Sequence, residues 1–388
     1  MKAATLEFLR QRFAEYYGKE QLLSPSSIPQ REWAFVFFDP EYPDIRMRRH
    51  LGFENRDEVF SYIRGMVPAH SYYSTAYYAR PGAPTMQEKE WLGADLIFDL
   101  DADHIMRGPY DLMLLRVREE TEKLLGMLTG ELGFPDREIE VVFSGGRGYH
   151  VHVHDLSVRN WGSSERRELI DYVCGIGLDP ARILAHRTPS PRGWHHRYIS
   201  ALHEYFLWLS GLPEKERLAA ITDLEGVGKA TGEEFLRRLD EVKSLIEENP
   251  GSLNLRDAVL AKVIRGLTLQ KEGEFATSLR RKAALADEPV TTDTKRLIRL
   301  PSSLHGGSGF RVTPVAMEDL PEFNPLVDAV VFGERVVKVD VSFSLSMPIL
   351  GSSYRLEKGT VAVPEALAVF LCCRGAAEIA GGGARAPG

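Results

Sequence analysis

The stretch Leu96–Ile97–Phe98–Asp99–Leu100–Asp101–Ala102–Asp103 carries more information than any other part of this chain. Alternate side chains of a β-strand leave opposite faces. Read as a strand, Leu96, Phe98, Leu100 and Ala102 form an apolar core face, and Asp99, Asp101 and Asp103 share the other. Carboxylates two residues apart repel one another, and this raises the pKa of at least one. A hard divalent cation removes the conflict, and carboxylate oxygen suits Mg²⁺ or Mn²⁺. The bland alternative is a strand end running into a solvated loop, so the pattern needs support from elsewhere in the chain.

Support lies on both sides. Upstream, REWAFVFF (31–38) is a β-type run. Downstream, residues 110–132 place Leu114, Val117, Thr121, Leu124 and Leu128 on one helical face, closed by Gly133 and Pro135. EIEVVF (138–143) and YHVHVHDL (149–156) then read as two strands around the turn SGGRG. From about 160 to 285 the signals are helical: SSERRELIDYV (163–173), ALHEYFLWLSGL (201–212), EEFLRRLDEVKSLIEE (233–248) and LRDAVLAKVIRGL (255–267). Strand signals return in RVVKVDVSF (335–343) and SYRLEKGTVAVP (353–364). The expected fold class is α/β (α+β), with mixed central sheets. A mixed α/β core of residues 1–158 and 287–380 would be interrupted by a helical insertion, 159–286, and followed by a disordered tail, 381–388.

Composition narrows the class. With 388 residues, 44% hydrophobic and 27% charged, the chain has the make-up of a soluble globular protein. No apolar run reaches the length of a transmembrane helix, and the first residues read as an amphipathic helix rather than a signal peptide. A cytoplasmic protein with no membrane association is expected. Cys174, Cys372 and Cys373 have no metal-binding spacing. The net charge of −7 argues mildly against nucleic acid, but phosphate binding requires only a local basic groove.

Two further segments supply such a groove. Ser144–Gly145–Gly146–Arg147–Gly148–Tyr149–His150 lets the backbone approach a ligand closely. Arg147 can reach a phosphate, and His150 can donate to a triphosphate oxygen. A plain hairpin turn is the alternative. A site made of His150, His152 and His154 is disfavoured, because three in-line strand positions rarely converge on one tetrahedral ion. In residues 291–306, Asp293 can complete a three-carboxylate site, and Lys295, Arg296, Arg299 and His305 can neutralise phosphates. An ion-paired surface segment is the competing reading.

Taken together, FDLDADH (98–104), SGGRGYHVHV (144–153) and DTKRLIRLPSSLHG (293–306) resemble the motifs of the small, catalytic subunit of archaeo-eukaryotic DNA primases, archaeal type. REWAFVFF (31–38), residues 72–95, ERRELIDYV (165–173) and VPEALAVFL (363–371) with Arg374 and Gly375 extend the likeness over most of residues 30–380. The resemblance implies a DNA-directed nucleotidyltransferase that makes short RNA, and also DNA, primers for replication, with primer extension as a further activity. It implies metal ligation by Asp99, Asp101 and Asp293 in a two-metal Mg²⁺ or Mn²⁺ site. It also implies nucleotide contacts by Ser144, Arg147, His150, Arg299 and His305. The implied partners are a primase large subunit in a heterodimer, which in that family carries an iron–sulfur domain, a single-stranded DNA template and nucleoside triphosphates. Replication sites on the nucleoid are the implied location.

Two departures stand out. Residues 105–134 contain neither cysteine nor histidine, so the family's zinc knuckle is missing and no structural zinc is expected. Gly307–Ser308 replace a more usual basic residue and threonine. Arg182, His186, Arg187, Arg192, Trp194, His195, His196 and Arg197 form a basic stretch open to single-stranded template or to a linker role. Leu224–Lys229 resembles a phosphate-binding hairpin, or an ordinary inter-helix turn. Three other functions are compatible with parts of the pattern: a repair polymerase, a non-catalytic nucleic-acid-binding subunit and a metal-dependent hydrolase.

Overall fold

The computed structural model describes residues 1–39, 42–43, 47–185, 192–248, 253 and 256–380. The tail 381–388 and His186 and Arg187 of the basic stretch lie outside the described residues. The fold is mixed α and β with several small sheets, as the alternation of periodicities predicts. The chain divides into two compact units, Met1–Glu122 with Phe134–Arg167 and Ala286–Gly388, and Lys123–Gly133 with Glu168–Leu285.

Among the described residues, the first unit holds all the strands. In chain order they are β1 (Trp33–Phe37), β2 (Arg48–Leu51), β3 (Pro68–Ser74), β4 (Ala76–Tyr78), β5 (Trp91–Ala94), β6 (Leu96–Asp101), β7 (Ile139–Phe143), β8 (Gly148–Val153), β9 (Leu297–Arg299), β10 (Thr313–Val315), β11 (Val336–Val341), β12 (Leu345–Ile349), β13 (Ser352–Leu356), β14 (Gly359–Pro364) and β15 (Ala377–Ile379). One sheet runs β2-β1-β3-β9 and another β10-β7-β8-β6. The segment 353–364 is two strands, turned at Glu357 and Lys358.

The second sheet is the scaffold of interest. Leu96, Phe98 and Leu100 of β6 and Val151 and Val153 of β8 are fully buried, as an alternating pattern requires of its core side. Along the helix Tyr110–Gly130, the predicted stripe of Leu114, Val117, Thr121, Leu124 and Leu128 is buried. The strand bearing the carboxylates ends one residue pair earlier than its sequence suggests. The Asp101 carboxylate accepts a hydrogen bond from the Asp103 N–H at 2.9 Å and caps a short helix, Ala102–Ile105. Asp103 therefore leaves the face shared by Asp99 and Asp101 and pairs with Arg147 instead.

The second unit is helical. Tyr198, Leu202, Phe206 and Leu209 recur at three- and four-residue spacing on the helix Gly193–Gly211 and pack with Phe235, Val263 and Leu267 into one apolar cluster. Residues 233–248 form two helices, because Arg238 leaves helical geometry at φ −105°, ψ 5°. Leu224 and Val227 of the glycine hairpin are buried in the same cluster, the behaviour of an inter-helix turn.

Candidate active site

Two buried arginines fix the start of β6. Arg31 donates to the carbonyls of Ser74 (2.9 Å) and Thr75 (2.7 Å) and to the Asp95 carboxylate (2.7 Å). Arg166 donates to the carbonyls of Ala94 (2.9 Å) and Asp95 (3.0 Å). The strand is thus anchored four residues before its first candidate ligand.

Asp99 lies opposite His150 and Asp101 opposite Gly148 in the antiparallel register of β6 and β8. The Asp99 carboxylate and His150 Nε2 are 3.7 Å apart. Close pairing depends on Gly148, since a Cβ there would fall 2.2 Å from the Leu100 carbonyl oxygen. Burial and the charges of Asp101 and Asp287 push the Asp99 carboxyl up to about 7, against the opposing pull of Arg296 and Arg299. Burial first, then the competing protonation of His152 and the positive charges of Arg299 and Arg296, hold His150 well below the usual imidazole range, so it is neutral.

Asp287 is the acidic residue that sequence reasoning missed. Its N–H donates to the Asp99 carbonyl at 2.8 Å, and it begins the short helix Glu288–Thr292 without using its own side chain as a cap. Asp293, six residues on, ends that helix. It is exposed, its carboxylate accepts from the Lys295 N–H at 2.9 Å, and its charge is felt by Arg49, Tyr78 and Arg166.

The remaining candidates gather around the glycine turn. The Ser144 hydroxyl accepts from the Gly146 N–H at 3.3 Å. Gly145 has φ +74°, and a Cβ on it would lie 2.7 Å from the His305 Cβ, so only glycine lets His305 in. His305 Nδ1 accepts from the Gly307 N–H at 3.1 Å. That leaves the proton on Nε2, the ring atom nearest Gly146. Ser308, at the departure from the family pattern, donates its hydroxyl to the Gly145 carbonyl and ties the two segments together. Arg299 sits opposite Tyr72 across β3 and β9 and donates to His70 Nδ1 (2.7 Å) and the Tyr72 hydroxyl (2.9 Å). His70 was absent from the sequence-derived set, and Arg374 entered it only through the C-terminal likeness, without a site role. The His70 and His305 rings meet edge to face, 4.9 Å apart. Arg374, with its guanidinium 5.4 Å from the Tyr110 ring, adds positive charge felt by His305.

The donor set fits a hard divalent cation. Asp99, Asp101 and Asp287 offer carboxylate oxygens; burial first, and then repulsion from Asp101 and Asp287, raises the Asp99 carboxyl, and a cation would relieve that repulsion.

A family model described as DNA primase small subunit matches residues 98–317. The chain is 59% identical over 380 residues to the DNA primase small subunit PriS of Methanoregula boonei, covering 98% of this chain and 100% of that protein. It is 53% identical over 382 residues to the PriS of Methanospirillum hungatei, covering 98% of each. Against the PriS of Methanothrix thermoacetophila it is 41% identical over 402 residues, covering 98% of this chain and 100% of that protein. Fold and likeness define an enzyme of the DNA-directed nucleotidyltransferase class. The chain belongs to the DNA primase small subunit family. Among the described residues, no helix is long and apolar enough to cross a membrane.

Proposed function

We propose that the chain synthesises RNA primers, and also DNA primers, on single-stranded DNA from nucleoside triphosphates, with primer extension at the same centre. The observation that carries this is the meeting of Asp99 with its acidic neighbours Asp101 and Asp287 on one side and the neutral His150 on the other. Asp99 and Asp101 are the first two metal ligands. Asp287 is better supported than Asp293 as the third, because its charge acts on Asp99 directly. Two Mg²⁺ or Mn²⁺ ions, when bound, supply the charge that activates a primer 3′-hydroxyl and neutralises departing pyrophosphate.

The chain's own groups do the rest. His150 and His305 offer neutral imidazole donors, and Arg147 and Arg299 offer fixed positive charge, where a triphosphate would lie. Ser144 and the glycine turn permit close backbone approach. Base selection falls to template pairing, so protein contacts to the template are mainly to phosphate. A primase large subunit partners the chain in a heterodimer at replication sites on the nucleoid. The deciding assay is template-dependent incorporation of labelled nucleotides on an unprimed single strand. Products that begin with a dinucleotide and need Mg²⁺ or Mn²⁺ support the proposal, whereas extension only of pre-formed primers contradicts it.

A further inference from the structure

We infer that Glu140, His152 and His154 form a second cation site, distinct from the carboxylate centre, which takes a divalent transition metal of the zinc class. Glu140 on β7 lies directly opposite His152 on β8, so the two side chains leave the same face of the sheet. His154 follows two residues later on that face. One donor atom from each residue lies within 4.8 Å of the other two. Zinc bonds of about 2.0–2.1 Å place tetrahedral donors about 3.3 Å apart, a gap that side-chain rotation can close. The in-line histidines do not suffice for this geometry; the adjacent strand supplies the third direction through Glu140.

Two observations point to a ligand. His152 is 1% exposed, and neither of its ring nitrogens has a hydrogen-bond partner. Buried polar groups are nearly always bonded, so an imidazole aimed into this cluster with both nitrogens idle calls for a partner. His154 is held in the manner of a metal-bound histidine. Its Nδ1 faces the Asp95 carboxylate at 3.5 Å and its Nε2 faces Glu140 at 3.3 Å. Asp95 is itself fixed by Arg31 at 2.7 Å and by the Tyr77 hydroxyl at 2.8 Å. A carboxylate behind one ring nitrogen sets the tautomer that directs the other nitrogen at a metal. Glu140 and His154 are about one-third exposed, so an ion enters past them and meets His152 at the floor.

Imidazole nitrogen selects zinc-like ions over Mg²⁺, which separates this site chemically from Asp99 and Asp101. An ion at His154 needs a neutral imidazole nitrogen, so it competes with protons for the site. The bound ion would clip β7 to the end of β8 remote from Gly148 and so steady the strand that presents His150.

The test uses the full chain, stripped of metal by a chelator and then titrated with Zn²⁺ alone. Bound zinc is counted by mass spectrometry, the site is read by the visible absorption of a Co²⁺ substitute, and the melting temperature is followed. The expected result is one zinc per chain, with a higher melting temperature, in the native chain and equally in Asp101→Asn. His152→Leu and Glu140→Gln should lose both effects while their metal-free circular dichroism stays native. Glu140 is partly exposed, so its variant reports even if His152→Leu fails to fold. No stoichiometric zinc in the native chain overturns the inference, as does zinc retained by Glu140→Gln or lost in Asp101→Asn. None of these readouts depends on primer synthesis, so this site and the polymerase centre stand or fall separately.

Discussion

The Asp287 N–H donates to the Asp99 carbonyl at 2.8 Å, joining the start of a late helix to the middle of the carboxylate strand. A backbone bond at that point brings a third acidic side chain to a pair that already repels itself. Asp287→Asn should therefore lower nucleotide incorporation roughly 100-fold or more, which is about 2.7 kcal/mol of lost transition-state stabilisation. Asp293→Asn should stay within a few-fold of the native chain. Steady-state rates of labelled-nucleotide incorporation by the two variants check this, and the opposite ranking would return the third-ligand role to Asp293.

A second prediction concerns pH. The Asp99 carboxyl is raised to about 7 in the fold, mainly by burial and then by Asp101 and Asp287. A raised carboxyl favours the protonated native state. Its contribution is complete below the unfolded value near 4 and is lost as pH rises through about 7. In metal-free chain, the advantage of Asp99→Asn over the native sequence should grow from pH 4 to pH 8, by on the order of 1–3 kcal/mol. Denaturant melts at the two pH values measure it; an advantage that shrinks with rising pH would contradict the assigned repulsion.

Arg299 holds its guanidinium on His70 and Tyr72 while its charge reaches Asp99 and His150. Arg299→Ala should reduce kcat/KM for nucleoside triphosphate about 10–100-fold, the loss expected for a charged hydrogen bond worth about 1.5–3 kcal/mol. Arg299→Lys should recover only part of it, because a lysine cannot reproduce the forked donor. Initial rates against nucleotide concentration provide the measurement.

The buried Arg31–Asp95 pair, 1% and 2% exposed, fixes the approach to β6. Arg31→Met strands the Asp95 charge and should cost about 3–5 kcal/mol in stability. Arg31→Met combined with Asp95→Leu should recover much of that loss, and urea unfolding of the single and double variants distinguishes the two.

The strand Leu96–Asp101 was legible because alternation along six residues leaves no other way to hide Leu96, Phe98 and Leu100. The glycine turn was legible because its glycines are demanded by close approaches to His305 and Leu100. Asp103 was misplaced because the Asp101 side chain caps a helix, an event that the alternating pattern does not signal. Asp287 was invisible for a related reason. An aspartate before Glu288–Pro289 reads as an ordinary helix start, and only the tertiary bond to Asp99 sets it apart. His70 and Arg374 are far from the motifs in sequence and join the site through β3 and the helix Glu365–Cys373. No local periodicity marks them.

The most direct measurement of the central claim is incorporation of labelled nucleotide on unprimed single-stranded DNA, with Mg²⁺ or Mn²⁺, by the native chain and by Asp101→Asn of verified fold. Robust metal-dependent products from the native chain and none from the variant are expected. Near-native synthesis by the folded variant would contradict the assignment of this strand to catalysis.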